Sequence, residues 1–294
     1  MIHRILFALL AVAATIIPAT AQSSTDPLFP LPEVPDELTS LQDRTGYLLE
    51  HYWDRCNFKQ ALSSKAKFAK SFDTYVDLMK AGSRHAVMRS IYKLLGSLEK
   101  QPKELLFVVQ QAEAIMYSDT ATFRSDEAYI PFARAIAENK KIDRDTKEHY
   151  AAHARILSGS AKGMEAPKLQ YTDSLGVSHT LDADTAQYVI LFFNDPRDVD
   201  SMISRGRIAA NPTANLLVKK GLIRIAAITP GKPDDEWKSL VSRYPEGWIV
   251  GAAPDAASIY DLRNFPTIYV LDKNLNIIDK GTSTNQLINL FNSL

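Results

Sequence analysis

The feature that most constrains this chain is a change of hydrophobic period near residue 160. From residue 36 to about 157, apolar side chains recur every three or four positions, the spacing of one helix face. Beyond residue 167 they gather into short continuous or alternating runs, the spacing of strands. A run of helices followed by strands interleaved with helices indicates two separately built cores, an all-α domain and then an α/β domain.

In the first half, Asp36 is placed to cap a helix that carries Leu38, Leu41, Leu48, Leu49 and Tyr52 on one face. Phe68, Phe72, Tyr75, Val76 and Met79 make a second face, closed by Gly82. Ser83 can cap a third helix with Val87, Met88, Ile91, Leu94, Leu95 and Leu98 turned inward. Pro102 suits the first turn of a fourth carrying Leu105, Leu106, Val109 and Ile115. Two further helices are predicted over residues 125–138 and 143–157. The Trp, Leu-Gly and Tyr positions of tetratricopeptide arrays do not recur, so a bundle with short connections is expected.

Residues 158–167, with Gly159 and Gly163, mark the boundary. A hairpin is predicted from residues 169–172 and 177–181 around Ser174, Leu175 and Gly176. Residues 188–193 form a continuous apolar run of buried-strand type. Next come a helix from about Asp198, another over 211–220, a strand over 222–228 and a helix with Asp234, Asp235 and Glu236 at its start. A short strand over 248–252 precedes a predicted helix leading to Phe265. A hairpin over 267–271 and 277–280 follows, and then a terminal helix capped by Thr284.

Residues 1–21 have the form of a secretory signal, with His3 and Arg4, an apolar run and a small-x-small site ending at Ala21. A Pro-rich leader is expected over 22–35, a helical domain over 36–160 and the α/β domain over 161–294. The mature chain is expected to be periplasmic or secreted. No run in it approaches the roughly 18 apolar residues of a spanning helix, so no transmembrane anchor is expected. The chain holds 34 basic and 34 acidic side chains, a balance that points away from nucleic acid.

Two segments carry a family likeness. They are Tyr188-Val189-Ile190-Leu191-Phe192-Phe193, before a turn, and Phe265-Pro266-Thr267-Ile268-Tyr269-Val270-Leu271-Asp272. With these, the second half resembles periplasmic thioredoxin-like proteins of the TlpA/ResA type. Residues 31–36, 51–54, 129–132 and 235–238 make the whole similar to a bacterial family that joins such a domain to an N-terminal helical domain of unknown function. The resemblance implies a thioredoxin-like α/β domain with a central mixed sheet flanked by helices. It also implies a cis-proline at Pro266, and an edge at Phe265, Pro266 and Thr267 that binds extended peptide. Pro266 equally has a plain role in shaping the strand entry.

Many members of that family carry Asp-Pro-x-Cys-x-x-Cys after the first central strand. This chain has Asp195-Pro196-Arg197-Asp198-Val199-Asp200-Ser201, so Asp198 and Ser201 stand at the two cysteine positions. Dithiol exchange needs an attacking thiolate and a resolving thiol, and a carboxylate and a hydroxyl supply neither. Asp198 reads as a helix cap that also fixes a negative charge there. The expected function is therefore a non-catalytic protein- or peptide-binding module of the cell envelope, needing no cofactor or metal. Its partner would be an envelope protein or an extended peptide. The alternative is a thiol-disulfide-type enzyme with a monothiol role for Cys56, the only cysteine. Its neighbours Tyr52, Trp53 and Phe58 favour a buried structural thiol.

Other constellations lead no further. His149 and His153 lie four apart on a predicted helix, but no third ligand is fixed by sequence, so no metal site is expected. Asp195, Asp198 and Asp200 lack the glycine turn and distal glutamate of a calcium loop. There is no Gly-x-Ser-x-Gly, and Gly206, Gly221 and Gly231 are isolated rather than grouped around a phosphate. Trp53, Trp237 and Trp248 could line a ligand groove, although a core or half-buried role is the usual one, and the sequence does not decide between them.

Overall fold

The computed structural model describes residues 27–183 and 185–294. The expected signal at 1–21 and the first residues of the leader lie outside the described residues. Seven helices precede the first described strand: α1 (Leu41–His51), α2 (Phe58–Ala61), α3 (Lys65–Ala81), α4 (Arg84–Leu98), α5 (Pro102–Met116), α6 (Asp126–Glu138) and α7 (Arg144–Gly159). Ser83, Ser125 and Asp143 each accept a hydrogen bond from the backbone N–H three residues on. Such caps contribute about 1 kcal/mol each.

The helices close around aromatic rings. Trp53 lies 5.4 Å from Phe68 and 5.3 Å from Tyr75, centroid to centroid. Phe29, from the segment expected to be a plain leader, sits 5.4 Å from Trp53 and is buried. The leader is thus anchored by one aromatic side chain that the run of prolines around it conceals in sequence.

Two helix ends differ from expectation. The cap of α1 is Ser40, which accepts from the Asp43 N–H at 3.0 Å, and not Asp36. The backbone first turns at Asp36 and Glu37, with the Leu38 N–H closing on the Pro35 carbonyl, so the helix nucleates four residues later. Gly82 ends α3 with φ −82°, outside the left-handed region. A Cβ there would stand 2.5 Å from Leu49 Cδ1, so any larger residue would have to displace that buried side chain.

The second half is built on a seven-stranded mixed sheet of order β2-β1-β5-β4-β3-β6-β7. The strands are β1 (Gln170–Thr172), β2 (Ser178–Thr180), β3 (Tyr188–Phe193), β4 (Ile223–Thr229), β5 (Ile249–Ala252), β6 (Thr267–Asp272) and β7 (Ile277–Lys280). Between them run α8 (Val199–Ala209), α9 (Pro212–Lys219) and α10 (Asp235–Val241), and α11 (Thr284–Ser293) closes the chain. β3 pairs parallel with β4 and antiparallel with β6.

The continuous apolar run of β3 follows from burial on both faces. Ile190 and Phe192 join Trp237, Leu287 and Phe291 in one layer, while Val189, Leu191 and Phe193 join Tyr260, Tyr269 and Leu271 in the other. The β1–β2 hairpin docks on β5 through Tyr171, whose ring lies over Gly251. A Cβ at Gly251 would approach Tyr171 Cδ2 to 2.3 Å.

The helix predicted before Phe265 is only a 3₁₀ turn, Ala256–Ser258. Beyond it the chain turns inward: Tyr260 and Asp261 are buried, and the Asp261 N–H meets the Tyr269 hydroxyl at 3.1 Å. The terminal helix is capped by Ser283 rather than Thr284, because Ser283 and Gln286 form a reciprocal capping box. No helix among the described residues is long and apolar enough to cross a membrane.

The two halves meet through charge. Arg263 donates to the Tyr117 carbonyl at 2.6 Å, to Asp126 at 2.9 Å and to Asp261 at 2.6 and 2.7 Å. Lys280 reaches Asp126 at 2.5 Å and Asp261 at 3.1 Å. Asp126 opens α6, where the helix dipole favours a carboxylate.

Candidate functional site

The parallel and antiparallel pairing of β3 decides where the site lies. Phe193 at the end of β3 is paired with Thr267 at the start of β6, so the loop after β3 and the turn before β6 share one end of the sheet. Asp198 ends the first of these and Ser201 lies in the first turn of α8 beyond it, while Phe265 and Pro266 belong to the second and Thr267 opens β6.

After β3, Asp198 and Ser201 are both engaged in local bonding at the start of α8. Asp198 caps α8 by accepting the Ser201 N–H at 2.7 Å. The Ser201 hydroxyl is buried and accepts the Asp195 N–H at 3.3 Å. Arg197 crosses to the start of α10, with 2.7 Å to Asp234 and 2.8 Å to Glu236. The Trp237 N–H and then Arg197 hold the Asp234 carboxyl below the usual carboxylate range, against its slight desolvation. The loop is thereby pinned as a helix-capping segment.

In the turn before β6, the Phe265–Pro266 peptide bond is cis. The Thr267 hydroxyl donates to the Asn264 carbonyl and closes the turn. Phe265 is exposed and Pro266 half-buried. Among the described residues, the main-chain N–H and C=O of Phe265 have no hydrogen-bond partner. Its chain neighbours Asn264 and Pro266 line a cleft of about 750 Å³ between the two halves of the molecule. Pro266, Thr267 and Arg263 line it from the sheet side, and Arg84, Arg124 and Ile130 from the helical side. Arg84 is paired with Glu127, and Arg263 with Asp126 and Asp261. Arg124 donates to the Asp119 carbonyl at 2.7 Å and has no carboxylate partner among the described residues.

Sequence reasoning missed the helical wall of this cleft. Arg263 and Asp126 are 137 positions apart, and no local pattern marks either as a contact across the boundary.

Cys56 is remote from this end of the sheet. It is half-buried against the helical core, beside a smaller cavity of about 310 Å³ lined by Trp53, Phe58 and Lys93. Burial pushes its thiol up to about 12, so it is protonated at neutral pH and lacks the thiolate that exchange chemistry needs.

His149 and His153 do share a face of α7, and the fold adds the third group that spacing leaves open, Glu113 of α5. His149 Nε2 lies 3.4 Å from Glu113 Oε1, and Tyr150 donates to Glu113 Oε2 at 2.7 Å. His153 Nδ1 is 2.8 Å from the Tyr129 hydroxyl. Burial, and then the neighbouring His149, push the His153 imidazole down to about 4.

Comparison with known proteins accords with this architecture. The family model described as Domain of unknown function (DUF5106) matches residues 13–159, half of the chain. None of the curated proteins compared with the chain matches it. Among solved structures, a thioredoxin-like protein from Bacteroides caccae superposes with a TM-score of 0.76 at 22% identity, covering 92% of this chain and 99% of its own. That likeness shows a shared fold over both halves. A conserved protein of unknown function from Bacteroides fragilis is 35% identical over 45% of this chain and 98% of its own, with a TM-score of 0.43. A domain of a possible thiol-disulfide isomerase from Cytophaga hutchinsonii is 26% identical over 45% of this chain and 92% of its own, with a TM-score of 0.38. With its helical half matched by the family model, the chain belongs to the DUF5106 family, here followed by a thioredoxin-like domain that lacks the Cys-x-x-Cys motif.

Proposed function

We propose that this is an exported, redox-inactive binding module that holds an extended segment of a cell-envelope protein in the cleft beside cis-Pro266. The observation that carries the proposal is the pair of main-chain groups of Phe265, without partners among the described residues and set in the chain between Asn264 and Pro266, which line the cleft. Such groups can pair with an extended peptide in the manner of an added strand. Phe265 supplies an aromatic contact, and Arg124 supplies a charge complement for an acidic group on the ligand. The division into signal (1–21), leader (22–35), helical domain (36–160) and thioredoxin-like domain (161–294) belongs to the same proposal, as does release into the periplasm or beyond.

Two features speak against thiol chemistry as the function. Asp198 and Ser201 stand where the motif would be, and the Cys56 thiol is held protonated by burial. The test is a screen of unstructured peptides against the purified protein, with binders compared on Phe265→Ala and Arg124→Gln. Binders that lose at least about tenfold in affinity on Phe265→Ala, equivalent to about 1.4 kcal/mol, support the cleft. Binders indifferent to both substitutions overturn it.

A further inference from the structure

Away from the cleft, Glu113, His149 and His153 place one ligand atom each within 4.8 Å of one another. We propose that these three residues form a binding site for a divalent cation of the zinc class, with the remaining coordination position open to solvent. This goes beyond the binding role of the cleft and does not depend on it.

Geometry favours the site. Two histidines four apart on one helix face the same side, and α5 brings in a carboxylate from across the bundle. A tetrahedral ion with ligands at about 2.0–2.1 Å has ligand–ligand edges of roughly 3.3 Å. The His149 Nε2 to Glu113 Oε1 separation is 3.4 Å, already such an edge. The wider edges, within 4.8 Å, close by side-chain rotation, and His149, its side chain 54% exposed, is the least buried of the three.

The outer partners orient each ligand. Tyr150 donates to Glu113 Oε2, which leaves Oε1 for the ion. The Tyr129 hydroxyl meets His153 Nδ1, which leaves Nε2 for the ion once Nδ1 carries the proton. Tyr117 stacks on Tyr129 at 4.8 Å and lies tilted against His153 at 4.1 Å, and so limits the rotation of the imidazole. Metal-bound histidines characteristically have their second nitrogen held in this way. Two imidazoles and one carboxylate suit zinc, nickel or copper, whereas magnesium and calcium prefer all-oxygen shells.

The experiment is a titration of the chelator-treated intact protein with Zn²⁺ in competition with a chromophoric indicator, repeated with Co²⁺ read by visible absorption. The expected result is one equivalent bound with a low-micromolar or tighter Kd, with Co²⁺ bands of imidazole-ligated metal. His149→Ala and Glu113→Gln should each weaken binding at least about tenfold, and Tyr129→Phe by roughly tenfold through loss of the outer partner. His149 is exposed, so His149→Ala leaves the helical core intact, which far-UV circular dichroism verifies. Absence of binding tighter than millimolar, or binding unchanged in His149→Ala and Glu113→Gln, would overturn the site.

Discussion

Arg263 donates to Asp126 at 2.9 Å across the junction between the two halves of the molecule, two residues before the Phe265–Pro266 bond. Asp126 is the first residue of α6, and Asp261 and Lys280 complete the cluster. The cleft wall and the junction are therefore one structure, and a change at Arg263 acts on both.

Removing that guanidinium leaves Asp261 buried with Lys280 as its remaining cationic partner. Breaking a buried pair from one side costs about 3–5 kcal/mol, because a charge is left uncompensated. Arg263→Met is expected to destabilise the protein by about 3 kcal/mol, measured as a drop in the urea midpoint at unchanged slope.

The same cluster makes stability depend on pH. Burial alone would raise the Asp261 carboxyl, but Arg263 and Lys280 outweigh it and hold the group below the usual carboxylate range. A depressed folded pKa stabilises the fold fully above the unfolded value of about 3.9, and that contribution disappears as pH falls through the folded value. Urea midpoints taken between pH 6 and about pH 2.5 should fall more steeply for the wild type than for Asp261→Asn.

Gly251 is required by the tyrosine that covers it. Gly251→Ala forces a Cβ against the ring and Cβ of Tyr171, which are not the far end of a flexible side chain. Overpacking of this kind costs about 1–3 kcal/mol. The loss should appear in thermal unfolding, with faster hydrogen exchange in the β1–β2 hairpin.

The loop before α8 is held by the Asp198 cap. Asp198→Ala should cost about 1 kcal/mol through the lost cap. The double variant Asp198→Cys with Ser201→Cys should acquire measurable insulin reduction that the wild type lacks. Wild-type turnover in that assay would contradict the redox-inactive reading.

Cys56 should react with iodoacetamide at pH 8 far more slowly in the folded protein than after denaturation, since burial keeps the thiol protonated. Equal rates would show a thiolate that the structure does not account for.

Much of the fold was legible because local signals and burial agree. β3 spans Tyr188–Phe193, the bounds of the apolar run, because a strand buried on both faces has no polar side to interrupt it. Ser83 caps its helix as its sequence position suggests, and Ser125 and Asp143, which open the next two predicted helices, cap theirs. Misreadings arose where a distant contact decides the outcome. Asp36 lost the α1 cap to Ser40 because a turn on Pro35 intervenes, and the segment before Phe265 gave up a helix to bury Tyr260 and Asp261. Glu113 and Arg263 could not be matched to their partners from spacing, because α5 meets α7, and Arg263 meets α6, only in the folded chain. After β3 the residues themselves were informative. Two non-thiol side chains at Asp198 and Ser201 removed a chemistry, and the structure adds the bonds they make instead.

The central claim is tested most directly by placing a photo-activatable cross-linker at position 265, with position 222 as control, in protein exposed to an envelope extract. Leu222 immediately precedes β4, at the end of the sheet away from the cleft, and is exposed. The account predicts adducts from position 265 that map to one extended segment of an envelope protein, are absent at 222 and disappear when a synthetic copy of that segment is added in excess. Equal adducts at both positions, or adducts at 265 that the synthetic segment does not displace, would contradict it.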